Sequence, residues 1–206
     1  MVAVGTVILD YDAGNLTSVL RALRHLGADA AITRDPAAVD AADRIIFPGV
    51  GAAGTCMASL RSTGLDRALA RAAAADRPVL VVCVGMQLLF EHSEEDGGVP
   101  CLGILPGRVI RLRPADRWIK VPHMGWNPTR LTDPVLAAGL GQDPAFYYVH
   151  SYHCRPAAGV EVIATCDHGG PVVAGVRRGR LAAVQFHPEK SGAVGLRLLR
   201  NFLASS

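Results

Sequence analysis

The stretch Pro78-Val79-Leu80-Val81-Val82-Cys83-Val84-Gly85-Met86-Gln87-Leu88-Leu89-Phe90 leaves few architectures open. A run of Val and Leu bounded by Pro78 reads as a buried parallel strand. Beyond Gly85, the apolar residues Met86, Leu89 and Phe90 recur at helical spacing. Cys83 therefore falls at a sharp strand-to-helix turn, where a side chain is held away from the backbone as in a nucleophile elbow. The adjoining helix N-terminus favours an anion, and the thiolate is the nucleophilic form of cysteine.

A cysteine taken alone is more often a small buried hydrophobe. What shifts the balance lies downstream, at Gln185-Phe186-His187-Pro188-Glu189-Lys190-Ser191. His187 precedes a proline and is pushed towards extended geometry. In an extended segment positions i and i+2 share a side, so Glu189 can hold the His187 ring. Cys83, His187 and Glu189 then supply a nucleophile, a base and an orienting carboxylate. Gln87, four residues after Cys83, faces the same side of the helix, and its amide can orient a substrate.

The rest of the chain supplies the frame. The length of 206 residues suits one α/β domain, 1–206, with a full core. Val2 to Leu9 reads as the first strand, and Leu16, Val19, Leu20, Leu23 and Leu26 as a helical stripe with Asn15 or Thr17 as its cap. Further strands are expected at 28–33 and at Ile45-Ile46-Phe47, and helices at 52–62 and 65–75. The third strand runs into Pro48-Gly49-Val50-Gly51, where bare N–H groups of Gly49, Val50 and Gly51, with that of Val84, could hold an oxyanion. An ordinary strand-to-helix turn is the bland alternative there. Glu94, Glu95 and Asp96 read as a solvated acidic run. From Cys101 on, short strand-like runs separated by turns are expected at 102–105, 109–112, 128–131, 146–151, 160–165, 172–177 and 181–186. Leu196, Leu199 and Leu203 form a last helical stripe. The fold class is α/β: a mixed, largely parallel central sheet flanked by helices, with a small additional antiparallel sheet.

Composition excludes several partners. Half the residues are hydrophobic and 19% are charged, which argues against disorder. The net charge of +3 comes without a dense Lys/Arg stripe interleaved with aromatics, so nucleic acid is not the expected partner. No apolar run reaches membrane-spanning length, and no signal peptide opens the chain, so a cytoplasmic location is expected. Five cysteines, an odd number without C-x-x-C spacing, indicate neither a disulfide framework nor a structural zinc site. His150, His153 and Cys154 cluster but lack a carboxylate pair, so no metal is expected.

The motifs Cys-Val-Gly-Met-Gln at 83–87 and Phe-His-Pro-Glu-Lys-Ser at 186–191 resemble the class I, triad-type glutamine amidotransferases, whose fold is flavodoxin-like. Asp10-Tyr11-Asp12-Ala13-Gly14-Asn15-Leu16, Pro48-Gly49-Val50-Gly51, Val121-Pro122-His123-Met124-Gly125-Trp126-Asn127 and Tyr148-Val149-His150-Ser151-Tyr152 narrow the resemblance. They resemble the glutaminase subunits of imidazole glycerol phosphate synthase, and the likeness runs from Asp10 to the last helix. The resemblance implies glutamine as substrate, no cofactor, and Cys83, His187 and Glu189 as the triad. It supports the oxyanion role of Gly49, Val50, Gly51 and Val84. It implies glutamine contacts from Glu95, His150, Ser151 and Tyr152. It also implies a heterodimer with a (β/α)8 cyclase, docked around His123, Met124 and Trp126. One position departs from the family pattern Gly-x-Cys-x-Gly-x-Gln: Val81 stands where the first glycine is expected, and its β-branched side chain is expected to crowd the turn. Two rival readings remain at this point, namely the same chemistry serving another synthase, and a non-catalytic binding or redox module on this fold.

Overall fold

The structure, a computed structural model, describes residues 5–205. In chain order the elements are β1 (Thr6–Leu9), α1 (Leu16–His25), β2 (Ala30–Thr33), α2 (Pro36–Ala41), β3 (Arg44–Phe47), α3 (Ala53–Thr63), α4 (Leu65–Ala74), β4 (Val79–Val82) and α5 (Val84–Leu88). There follow β5 (His92–Ser93), β6 (Val99–Pro100), β7 (Gly107–Arg111), β8 (His123–Pro128), β9 (Arg130–Leu131) and β10 (Ala145–His150). The chain closes with β11 (Tyr152–Pro156), β12 (Glu161–Asp167), β13 (Pro171–Arg178), β14 (Leu181–Val184) and α6 (Gly192–Ala204). The expected start of the first strand at Val2 lies partly outside the described residues.

The central sheet is mixed, as the sequence predicts. Its heart, in the order β2-β1-β3-β4-β14, is parallel throughout. Each of β1, β4 and β14 is buried along its whole length, which is why they read as unbroken apolar runs. Beyond β14 the sheet turns antiparallel through β13, β11 and β7, with β12 and β9 paired alongside. A separate antiparallel pair joins β8 to β10. Crossovers between parallel strands are right-handed, so the reversal of strand order at β1 puts α1 on one face and α2, α3 and α4 on the other. The packing agrees: α2 and α3 lie on α4, while α1 and α6 gather around the Pro188–Lys190 turn. Ligands of such sheets bind beyond the carboxyl ends of the parallel strands. Pro48–Gly51 follows β3 there, Cys83 follows β4, and His187 lies just past β14.

Several local expectations need correction. Residues 102–105 form no strand. Their N–H groups instead cover carbonyls around the end of α5, Leu102 to Leu88, Gly103 to Phe90 and Leu105 to Leu89, at 2.8–2.9 Å. Asn15 precedes α1 but makes no side-chain capping bond. The helix α2 was not expected. It starts with Pro36, and the Asp35 carboxylate accepts the Ala37 N–H at 2.9 Å. The acidic run is not a merely solvated face either. Glu95 accepts the N–H of Ala53 at 2.8 Å and Asp96 that of Gly54 at 3.2 Å, so both cap α3 from a distant loop. Glu94 accepts the Arg111 N–H at 3.2 Å.

Candidate active site

Cys83 sits between the last residue of β4 and the first of α5, with φ 57° and ψ −118°. A non-glycine residue at positive φ is strained and persists only where its surroundings fix it. Here the Cys83 N–H donates to the Val184 carbonyl of β14 at 2.8 Å, and its own carbonyl accepts from Met86 at 2.9 Å. The turn also depends on glycines. A Cβ on Gly85 would lie 2.8 Å from the Phe47 carbonyl oxygen and 2.9 Å from Val81 Cγ1. A Cβ on Gly49 would come within 2.5 Å of the Gly85 nitrogen. Val81 itself lies in regular β4, paired with Phe47 on one side and Ala183 on the other, and is fully buried. It does not displace the turn; its side chain fills the space that the missing Cβ of Gly85 leaves.

A cavity of about 330 Å3 opens beside the thiol. Cys83, Val84, Gln87, Glu95, His150, Ser151, Tyr152 and His187 line it, together with Val50 and Gly51. Most of the residues expected to touch substrate are thus brought to one place. Gly49 is not among them: it is buried behind the turn, packed on Gly85. Among the described residues the N–H groups of Val50 and Gly51 donate to no backbone carbonyl.

His187 Nδ1 donates to Glu189 Oε1 at 2.8 Å, with both side chains buried. Residues 187 and 189 pair as expected, but not along a strand: His187 alone is extended, and residues 188–190 form a single 3-10 turn that brings Glu189 back to the ring. His187 Nε2 is buried and has no protein partner. Burial pulls the imidazole down, but Cys83 and Glu189 outweigh it and hold its pKa up to about 10. The His187 N–H donates to the Tyr147 carbonyl, and Ser191 Oγ donates to the His187 carbonyl at 2.6 Å while accepting the Tyr147 N–H at 3.0 Å. Ser191 thereby ties the histidine to β10.

Glu95 meets the cavity with a carboxylate that is half used, since Oε2 takes the Ala53 N–H. Burial raises its pKa, the Ala53 bond lowers it and Asp96 raises it, with a net rise. Gln87 is buried, and its Nε2 donates to the Tyr152 carbonyl and to Gln185 Oε1, both at 2.9 Å. Gln185 in turn points its Nε2 at Cys83 Sγ, 3.8 Å away. Nothing in the local pattern singles out Gln185 beyond its place in the His187 motif.

The chain belongs to the class I glutamine amidotransferases. The family model described as "Glutamine amidotransferase class-I" matches residues 7–205. "Imidazole glycerol phosphate synthase subunit HisH" of Methylococcus capsulatus is 49% identical over 205 residues, covering 95% of this chain and 94% of that protein. The protein of the same name from Acinetobacter baylyi is 46% identical, covering 95% and 96%. Among solved structures, one titled "Crystal structure of glutamine amidotransferase" has a TM-score of 0.73 at 24% identity, covering 97% of each chain. "Structure of PurLQS from Thermotoga maritima" has a TM-score of 0.73 at 17% identity, covering 96% of each. At those identities the two structures show the shared fold alone.

In this amidotransferase the motif at 121–127 divides between surface and interior. Met124 and Trp126 are 63% and 56% exposed on one face of β8. His123, expected beside them at the partner surface, is buried. It points inward because alternate residues of a strand face opposite sides. Its Nδ1 lies 2.9 Å from His150 Nε2, and its Nε2 lies 3.0 Å from Asn127 Nδ2. His150 Nδ1 is 2.7 Å from the Tyr152 carbonyl, which only accepts, so Nδ1 carries the proton and Nε2 is an acceptor. His123 Nδ1 must then donate, leaving its Nε2 to accept from Asn127. One ordered chain runs from β8 to the cavity wall with both rings neutral. Their pKa values agree: burial lowers His123 to about 3 and His150 to about 4.

Of the five cysteines, Cys83 is the one lining this cavity. Burial pushes Cys56, Cys101 and Cys166 up to about 11, and Cys154 well above the usual range.

Proposed function

We propose that this chain, acting as one catalytic domain, is the glutaminase subunit of an imidazole glycerol phosphate synthase. The observation that carries the chemistry is the His187–Glu189 pair, with the second imidazole nitrogen unpartnered, in the same cavity as Cys83. The Cys83 thiolate attacks the side-chain amide carbon of glutamine. The C=O electron pair moves onto oxygen, and N–H groups of Val84 and of the Val50–Gly51 turn receive the oxyanion. When the tetrahedral intermediate collapses, the C–N bond breaks, and the proton on His187 goes to the nitrogen that leaves as ammonia. A thioester remains. His187, now neutral, takes a proton from water as the water oxygen attacks the thioester. Glutamate leaves and the thiolate–imidazolium pair is restored. Glu95, through the oxygen not tied to Ala53, suits the substrate ammonium; Gln87, Ser151 and Tyr152 shape the remaining wall. His150 joins that wall from the end of the histidine chain.

The synthase assignment rests on the HisH relatives. Ammonia would pass to a (β/α)8 cyclase subunit docked over Met124 and Trp126. That partner would join it to a phosphorylated ribulosyl-formimino-carboxamide nucleotide, giving imidazole glycerol phosphate and an aminoimidazole carboxamide ribotide. Cys83→Ala should abolish glutamine-dependent synthesis by the pair while synthesis from added ammonium persists, because only the thioester step needs the thiol. Glutamine-dependent turnover in that variant would refute the triad. Loss of both activities would refute the division of labour between subunits.

A further inference from the structure

A second cavity, of about 460 Å3, opens on the antiparallel part of the sheet, away from Cys83. β7 and β11 form its floor. Arg108 stands opposite Arg155 in the ladder and Ile110 opposite His153, so these four side chains share one sheet face. All four line the cavity, and Arg113, just beyond β7, joins them. Two cations directly across a strand pair are destabilising unless something of opposite sign lies between them. None of these arginines has such a partner. Among the described residues the arginine ion pairs belong to Arg34, Arg71 and Arg177. Glu94 is the one carboxylate among the lining residues, and its Oε2 is engaged by a backbone N–H. His153 is 5% exposed, and its Nδ1 has no partner although it is buried. Burial and the nearby Arg155 keep it neutral, with a pKa of about 4, so it offers a hydrogen bond without further charge.

We infer that this cavity binds a small molecule carrying a di- or triphosphate, with Arg108 and Arg155 gripping separate phosphate groups and His153 supplying a hydrogen bond from its unpartnered Nδ1. Guanidinium groups take phosphate oxygens in bidentate fashion. Four lining arginines, Arg108, Arg111, Arg113 and Arg155, against one carboxylate call for a ligand with more than one negative charge. The volume lies in the range of small-molecule sites rather than of flat protein-docking patches. The site shares no residue with the glutaminase cavity, so the inference stands whether or not that reading holds.

Calorimetric titration of the full chain at about 0.15 M salt tests it, with inorganic pyrophosphate, ATP and adenosine as probes, because exposed charges are largely screened at that ionic strength. Pyrophosphate and ATP should bind one per chain and adenosine should not. Arg108→Gln and Arg155→Gln should each weaken binding about tenfold or more, the size of a charge-assisted hydrogen-bond loss. Arg130→Gln, an exposed arginine outside the cavity, should leave it unchanged. Urea midpoints near that of wild type would show that the variants fold. Absence of saturable phosphate binding would overturn the inference, as would equal affinity in all three variants. Adenosine binding as well as ATP would overturn the phosphate assignment. Variants that lose the synthase partner's affinity without changing pyrophosphate binding would make the face a protein-docking surface instead.

Discussion

His187 holds a proton that a free histidine would have lost at neutral pH, since its pKa rises from 6.5 to about 10. Between those values the folded chain binds a proton that the unfolded chain does not. Stability from this pair is therefore fully present below about pH 6.5 and is lost as pH climbs through about 10. Urea unfolding midpoints should fall across that window, and fall less steeply in Glu189→Gln, which weakens the attraction. Identical slopes in the two proteins would show that the proton is held by something else. Gly85 gives a second test at this scale. Gly85→Ala should cost about 1–3 kcal/mol, because the new methyl meets the Phe47 carbonyl and Val81. Val81→Ala in the same chain should recover part of that loss, as measured by a double-mutant cycle in urea. Val81→Gly alone should lower stability by about 1.5–3 kcal/mol for the lost burial. It should lose about 0.5–1 kcal/mol more for glycine's freedom in a strand.

At the level of elements, β8 and β10 carry a buried histidine chain that resists protonation. His123 and His150 have folded pKa values of about 3 and about 4, below the ordinary 6.5. As pH falls from about 6.5 towards 4, the unfolded chain takes up protons that the native pair refuses, so stability drops. Denaturation curves at intervals from pH 7 to 4 should show this slope, and His123→Gln should make it shallower. An unchanged slope would place the acid sensitivity elsewhere. These strands also mark how far the sequence could be read. The Cys83 turn and the His187–Glu189 pairing were legible because both depend on local sequence patterns. The strands β1, β4 and β14 were legible because full burial on both faces leaves an unbroken apolar run. His123 was not, because its role depends on which face of β8 turns inward, and every other residue of that strand is partly or fully exposed. Gln185 lies 102 positions from Cys83, and no local pattern reports a contact of that range. The 102–105 segment misled because apolar residues suit a strand equally well when their N–H groups cap a helix end. The helix α2 is six residues long, too short for periodicity to show, and its Asp35-Pro36 start was the available signal.

At the scale of the molecule, the proposed triad sits on a seam, where the parallel strands meet the antiparallel ones. Trp126 pairs across the ladder with Tyr147, their rings 6.2 Å apart, and the Tyr147 carbonyl holds the His187 N–H. A partner seated on Trp126, as proposed, would thus press on the strand that holds His187. Trp126→Ala should weaken association with the cyclase by about 2 kcal/mol or more, about thirtyfold in Kd, if Trp126 anchors the interface. Titration of the two subunits by fluorescence anisotropy reads this directly, and an unchanged Kd would move the interface off β8. Ammonia release should also rise from the isolated chain to the pair, and again with nucleotide bound, since a glycine-flanked turn at Pro48–Gly51 can present either N–H or C=O to the oxyanion. Equal rates in all three states would remove that control point. The seam has a further consequence in time. β4, which leads into the thiol, has β3 already made on one side but finds its other neighbour only when β14 has been made. Ribosomes add about 5–20 residues per second, so roughly 5–20 s separate synthesis of Cys83 from synthesis of His187. On the proposed triad, the nascent chain owns a nucleophile without a base throughout that interval, so an unfinished or prematurely released product would be silent rather than an unregulated source of ammonia.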